Sequence, residues 1–217
     1  MGRPKHVQAV LFDMDGTVID SEPIKNAHLE QLIRANGGIV DDHELDHISG
    51  ADLPTLLSAM RMVLERSGVE LDPLEILKSD TYGRERPYLE PACKPFDGAI
   101  GFIEGLRRRG VLCALVSSTP TYAVLTALNR FSMTALFDAI VCGDMISVHK
   151  PDPEAYLTTM RILGVDPRAC IVVEDSASGI AAGIAAGAYV CARDDGSGIQ
   201  DLSAANERFH SFADLAF

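Results

Sequence analysis

Two aspartates one residue apart, Asp13 and Asp15, end the apolar run 7–12, and Gly16 and Thr17 follow them. Carboxylates paired in this way can attack an electrophile, carry a proton, or hold a hard cation between them. In isolation the stretch reads equally well as an Asx-rich turn.

An EF-hand calcium loop is a poor alternative. Glycine falls at the fourth loop position instead of the sixth, and the twelfth position is Ile24 instead of glutamate. Three other places repeat the pattern of polar residues after an apolar run. Ser117, Ser118 and Thr119 follow "VLCALV" (111–116), Lys150 stands beyond "AIVC" (139–142), and Glu174, Asp175 and Ser176 follow "CIVV" (170–173). Each has a plain reading: a helix N-cap, a solvated lysine, acids at a helix N-terminus. Those readings do not explain why all four fall at strand ends. Four carboxylates at one edge would repel unless a cation joined them, and oxygen ligands suit Mg²⁺. A lysine and hydroxyls beside them make sense if the site also receives an anion, which describes a phosphoryl site. There a carboxylate can attack phosphorus to give an aspartyl-phosphate, while a second protonates the leaving oxygen and then deprotonates water.

The elements that must position these groups alternate. The four runs above and "AYVC" (188–191) read as buried parallel strands, and residues 99–109, 121–129, 153–163 and 176–186 read as amphipathic helices. This predicts an α/β fold, a Rossmann-like parallel sheet with helices on both faces. Ligands of such sheets bind beyond the carboxyl ends of the strands. Residues 21–91 break the alternation with helical segments near 22–36, 42–67 and 73–89, which predicts an inserted α-helical cap domain. The core then comprises 1–20 and 92–217, with hinges near 17–21 and 90–97. The small-residue stripe "GIAAGIAAG" (179–187) fits close packing of a helix on the sheet.

Composition narrows the classes. The net charge is −12, with 31 acidic against 19 basic residues, which argues against a nucleic-acid surface. The basic run at 107–109 falls late in a helix, where cations suit its C-terminus. No apolar run approaches the about 18–20 residues that span a bilayer. The five cysteines are scattered and lack a C-x-x-C, so free buried thiols and a cytoplasmic location are expected. An aspartate early in the N-terminal stretch speaks against a signal peptide.

On "DMDGT" (13–17), "LVSST" (115–119), "HKPDPEAY" (149–156) and "VVEDSASGIAAGIAAG" (172–187), the chain resembles the haloacid dehalogenase-like hydrolase superfamily over nearly its whole length. The cap between the first two motifs, with "DGTVIDSEP" and "KPDPEAY", is most similar to the phosphatase and β-phosphoglucomutase-like branch. The resemblance implies Asp13 as nucleophile and metal ligand, and Asp15 as general acid/base that also offers its backbone carbonyl to the metal. It implies Ser117, Ser118 and Lys150 as phosphoryl-binding groups, and Glu174 and Asp175 as Mg²⁺ ligands, directly or through water. Dehalogenases of the superfamily lack the second acid of the first motif, so Asp15 implies phosphoryl transfer.

The mutases of this branch carry a cap histidine where Lys25 aligns here, and the nearest histidine is His28, which is expected on a helix surface. That departure favours phosphatase over mutase. Substrate choice is expected from the cap, with Lys25, the segment 47–54, and Arg84 or Arg86 as candidates. The expected partner of this monomer is a small phosphorylated metabolite, a sugar or polyol monophosphate, with no nucleic acid and no membrane. Two rivals of another class are a receiver-type signalling domain, disfavoured by motif order and by the cap, and a non-catalytic sugar-phosphate sensor. The sensor need not keep both aspartates.

Overall fold

The computed structural model describes residues 2–41, 44, 45, 48, 53–80, 83 and 85–215. In chain order its strands are β1 (Ala9–Phe12), β2 (Ile19–Asp20), β3 (Lys94–Pro95), β4 (Leu112–Val116), β5 (Ala139–Val141), β6 (Cys170–Glu174), β7 (Tyr189–Arg193) and β8 (Glu207–Phe209). The helices are α1 (Glu22–Ala35), α2 (Leu53–Arg66), α3 (Pro73–Ser79), α4 (Arg86–Leu89), α5 (Ala99–Arg108), α6 (Thr121–Arg130), α7 (Glu154–Leu163) and α8 (Ala177–Ala185). Six strands form one sheet in the order β5-β4-β1-β6-β7-β8, and every pairing in it is parallel.

β1 lies near the middle of this sheet, which explains its uninterrupted apolar character. Val10 and Phe12 join a cluster with Cys113, Leu115, Ile171 and Val173, covered by Ile103 and Leu106 of α5 and Val124 and Leu128 of α6. Ala9 and Leu11 face the other way, into Ala114, Val116, Cys170 and Val172 under Tyr156 and Met160 of α7 and Ile180 of α8. The two-residue period of a strand thus feeds two cores, and helices on both faces seal them. The glycine stripe of α8 behaves as expected: a Cβ on Gly183 would come within 2.9 Å of Val190 and 3.1 Å of Val172. All five cysteines are free and buried. The basic run closes α5, and Arg107 pairs with Asp138 at 2.9 Å.

The helical insertion has its own core, where Leu29 and Ile33 of α1 meet Met60, Val63 and Leu64 of α2 and Ile76 of α3. It joins the sheet domain through the antiparallel ribbon β2–β3, which no apolar run announces. Two expected helices are shorter than their sequence pattern. Of the one expected over 42–67, the described residues place α2 at its C-terminal part, while Glu44 and Leu45 form a turn and Ile48 lies in a 3-10 turn. The one expected over 73–89 is divided, with α3 ending at Ser79 and α4 beginning at Arg86. Pro87 gives the reason: it tolerates the first turn of a helix but would break the ladder inside a continuous one. The short strand β8 was also not expected, because three residues carry too little pattern to be seen.

Candidate active site

Because the strands are parallel, β1, β4 and β6 deliver their C-terminal residues to one edge. Asp13 extends β1 by donating its N–H to the carbonyl of Val173 at 2.9 Å. Glu174 is the last residue of β6, and Ser117 follows β4. Lys150 arrives from the loop between β5 and α7. Its ammonium, on a residue only 6% exposed, donates to Asp13 Oδ1 at 2.6 Å, to Glu174 Oε1 at 2.7 Å and to the carbonyl of Val116 at 3.1 Å. Those three bonds use all the donors an ammonium has.

Glu174 is wholly buried. Its Oε1 also accepts from the Tyr156 hydroxyl at 2.9 Å. Its Oε2 accepts from the N–H groups of Asp175 and Ser176 and from the Ser176 hydroxyl at 3.0, 3.1 and 3.0 Å. Ser176 also caps α8, accepting from the Gly179 N–H at 3.1 Å. Ser117 is buried and accepts from the Thr119 N–H at 3.1 Å, whereas Ser118 is exposed at the cavity rim.

The turn after β1 crosses directly over Asp175. Gly16 has φ of +75°, and a Cβ there would fall inside the Asp175 carboxylate, so only glycine permits the approach. Thr17 donates to Asp175 Oδ1 at 2.9 Å. The Arg193 guanidinium, stacked over the Phe96 ring with its central carbon 3.5 Å from the ring centroid, donates to the Gly16 carbonyl at 2.9 Å.

Asp15 has a different shell. Its Oδ1 accepts from Ser21 at 2.6 Å and Tyr88 at 2.7 Å, and its Oδ2 accepts from Thr119 at 2.8 Å. Lys25 Nζ stands 3.7 Å from that Oδ2 and 2.6 Å from Glu22 Oε1. Ser21, Tyr88 and Tyr156 were not anticipated. Thr119 and Tyr156 sit inside the quoted motifs, but nothing near Tyr88 in the sequence marks it.

Electrostatics separates the carboxylates. Burial pushes Asp13 up to about 8 against the pull of Lys150, and Glu174 adds to the rise. Burial likewise holds Asp175 well above the usual carboxylate range, reinforced by Glu174 and Asp13. Burial would raise Glu174 too, but Lys150 and the donors around it prevail and hold it low. For Asp15, burial is outweighed by Lys25 and by the hydroxyls of Ser21, Tyr88 and Thr119, so its carboxyl lies below its ordinary value. Lys150 therefore pairs with two of the three clustered acids, Asp13 and Glu174, and Asp175 is left with the Thr17 hydroxyl. Oxygen atoms of Asp13, Glu174 and Asp175 lie within 4.8 Å of one another, a hard donor set with excess negative charge that suits a divalent cation such as Mg²⁺.

These groups open onto a cavity of ≈ 230 Å³ at the junction of sheet and cap. Asp13, Asp15, Ser117, Ser118, Lys150 and Asp175 form its floor. Lys25, His28, Leu29, Leu56, Leu77 and Tyr88 are among its cap-side walls. His28 is therefore not the surface residue expected: it faces the cavity, with Nε2 2.7 Å from Asp80 Oδ2. Arg86 is exposed on α4 and is not among the described cavity residues. Arg84 lies outside the described residues, as does most of 47–54, from which Ile48 reaches the cavity. A larger cavity of ≈ 590 Å³ adjoins Gly16 and Asp175 from the other side, but its lining lacks Asp13, Asp15 and Lys150. Asp13, Asp15 and Lys150 all line the smaller one.

Residues 10–193 match the family model described as haloacid dehalogenase-like hydrolase. The phosphorylated carbohydrates phosphatase of Thermotoga maritima is 30% identical over 185 residues, covering 83% of this chain and 82% of that protein. Hexitol phosphatase B of Escherichia coli is 28% identical over 187 residues, covering 86% and 83%. A solved structure from Thermotoga maritima, provisionally assigned as a β-phosphoglucomutase, superimposes with a TM-score of 0.74 at 28% identity over 94% of each chain. The chain belongs to the haloacid dehalogenase-like hydrolase family.

Proposed function

We propose that the chain is a Mg²⁺-dependent phosphatase of small phosphate monoesters, sugar or polyol phosphates among them, acting through an aspartyl-phosphate on Asp13. The observation that carries this reading is Lys150 bridging Asp13 and Glu174 at 2.6 and 2.7 Å on a cavity floor that also presents Asp15. The phosphatase names of the relatives support the same class.

In this mechanism Asp13 attacks phosphorus while the Ser117 hydroxyl donates to a phosphoryl oxygen, and Lys150 offsets the charge there, turning the donor it gives Asp13 towards the phosphoryl group as Asp13 becomes bonded to phosphorus. Asp15 protonates the departing ester oxygen and then takes a proton from the water that opens the phosphoenzyme. The shell of Asp15 stabilises its anion, the form suited to that second step. The Asp13 and Asp175 carboxylates and the Asp15 carbonyl would hold Mg²⁺, which would supply neutralisation of charge on the phosphoryl oxygens. Glu174, with both oxygens engaged by protein donors, orients Lys150 and would reach Mg²⁺ through water. Residues 1–20 and 92–217 form the catalytic domain, and 21–91 form the cap that selects the alcohol. The enzyme is read as a cytoplasmic monomer; among the described residues no helix is long and apolar enough to cross a membrane.

A phosphosugar mutase is the second reading, motivated by the Thermotoga structure and by His28 facing the cavity. A screen of metabolite monoesters with Mg²⁺, following phosphate release and sugar-phosphate interconversion together, decides between them. Phosphate release that disappears in Asp13→Asn is the expected result. Interconversion without net release would replace the phosphatase reading, and no turnover of any monoester would leave the sensor.

A further inference from the structure

We propose that Tyr88 is a positioning residue for Asp15, carried by α4 across the cap–core junction and anchored to the core by Arg130. The inference rests on the proposed role of Asp15 as general acid.

The tyrosine ring is 1% exposed, and its hydroxyl donates to Asp15 Oδ1 at 2.7 Å from a position 73 residues away. The same hydroxyl lies 3.4 Å from Thr119 Oγ1, itself a donor to Asp15 Oδ2. The backbone of Tyr88 is also secured: the Arg130 guanidinium donates to the carbonyls of Tyr88 and Glu90. Thr126 of α6 donates to Glu85, the residue before α4, at 3.3 Å. Thr119 stands just ahead of α6, so two of the three hydroxyls on Asp15 ride on one α4–α6 unit. The third, Ser21, belongs to the linker that leads into α1.

A carboxylate turns easily about its terminal torsion, so its plane is fixed by the donors on its oxygens. Tyrosine suits the task because its hydroxyl sits at the end of a rigid ring with two side-chain torsions. In the transfer step the P–O(ester) bond breaks as the bond from Asp13 to phosphorus forms, and the Asp15 proton passes to the departing oxygen. An alkyl oxygen needs that proton, whereas the p-nitrophenyl oxygen departs without it. Misaligning Asp15 therefore penalises one substrate class and spares the other. Loss of a buried tyrosine hydroxyl that merely satisfied itself would not.

The test is kcat/KM, which reports the steps through leaving-group departure, for a hexitol monophosphate and for p-nitrophenyl phosphate. Tyr88→Phe keeps the ring and removes the donor. It is expected to lower the alkyl value about tenfold and the aryl value less than about threefold. Arg130→Gln, which loosens α4 without touching the ring, should give the same selectivity with a smaller loss. Asp15→Asn supplies the reference pattern. If Asp15→Asn is selective and neither variant is, at unchanged melting temperature, the inference is overturned and the acid role stands. If Asp15→Asn penalises both esters equally, the acid role itself fails and the inference falls with it.

Discussion

Asp13 and Asp15 are one residue apart, yet their surroundings are built from different parts of the molecule. Asp13 is held by the sheet domain alone: Lys150 comes from the loop after β5, and Glu174 from β6 fixes that lysine. Asp15 is held by three separate pieces, Ser21 in the linker, Tyr88 on α4 and Thr119 after β4. The floor is therefore complete within the core, whereas the shell of Asp15 is complete only with cap and core aligned. The difference teaches where generality and selectivity reside. Under the proposed function the floor would recognise the phosphoryl group common to every monoester, and the roof would meet the part that varies.

The strongest way to break this comparison is Asp13→Asn. Turnover of every monoester should fall by at least about four orders of magnitude, as when a nucleophile is removed, while the fold persists. Retained phosphate release would remove Asp13 from its role. The same variant carries a pH signature. With its pKa raised from 3.8 to about 8, the Asp13 carboxyl binds its proton more tightly in the folded state. Its contribution to stability is complete below about pH 4 and is lost as the pH rises towards 8. Without divalent cation, the melting temperature of Asp13→Asn should therefore gain on wild type between pH 4 and 8. Added Mg²⁺ should narrow the gap by stabilising wild type; a gap independent of pH contradicts the placement of this buried acid.

Next in size is Lys150→Met, which leaves Asp13 and Glu174 buried without their cation. Loss of one partner of a buried pair costs about 3–5 kcal/mol, and the activity loss should be the same for every substrate. Urea unfolding and a two-substrate comparison check both parts; a substrate-dependent loss would move Lys150 from floor to roof. Gly16→Ala forces a side chain at positive φ into the Asp175 carboxylate, at a cost of about 1–3 kcal/mol. Its half-activating Mg²⁺ concentration should rise several-fold, and an unchanged Mg²⁺ titration would detach Asp175 from the metal. The smallest effect belongs to Lys25→Met on the roof. KM should shift by about three- to tenfold, to different extents for different esters, because a half-buried charge already paired with Glu22 adds little further attraction. A uniform loss across substrates would place Lys25 in the floor instead.

Much of the floor was legible because it lies at ends of apolar runs, and a parallel sheet brings such ends to one edge. Asp13, Ser117, Lys150 and Asp175 follow from that rule without knowledge of any contact. The roof was legible only in part: Lys25 and Ile48 of the expected cap candidates line the cavity, but other roof residues were not foreseen. His28 reads as a helix-surface residue until α3 brings Asp80 to it. Tyr88 falls inside the helix expected over 73–89, whose pattern does not mark it as a partner of Asp15, and α4 is only four residues long. The break between α3 and α4 was hidden because a helical pattern spans it, although Pro87 carried the signal.

The sequence by itself determined the alternation of strands and helices, the helical insertion after β1, and the polar groups at the strand ends. These follow from local periodicity and strand direction, properties of short windows of chain. Only the tertiary structure decided which acid the lysine serves, why position 16 must be glycine, and which hydroxyls hold Asp15. Those depend on distances between segments far apart in the chain, such as Thr17 and Asp175, 158 residues apart, which packing sets and no local pattern encodes.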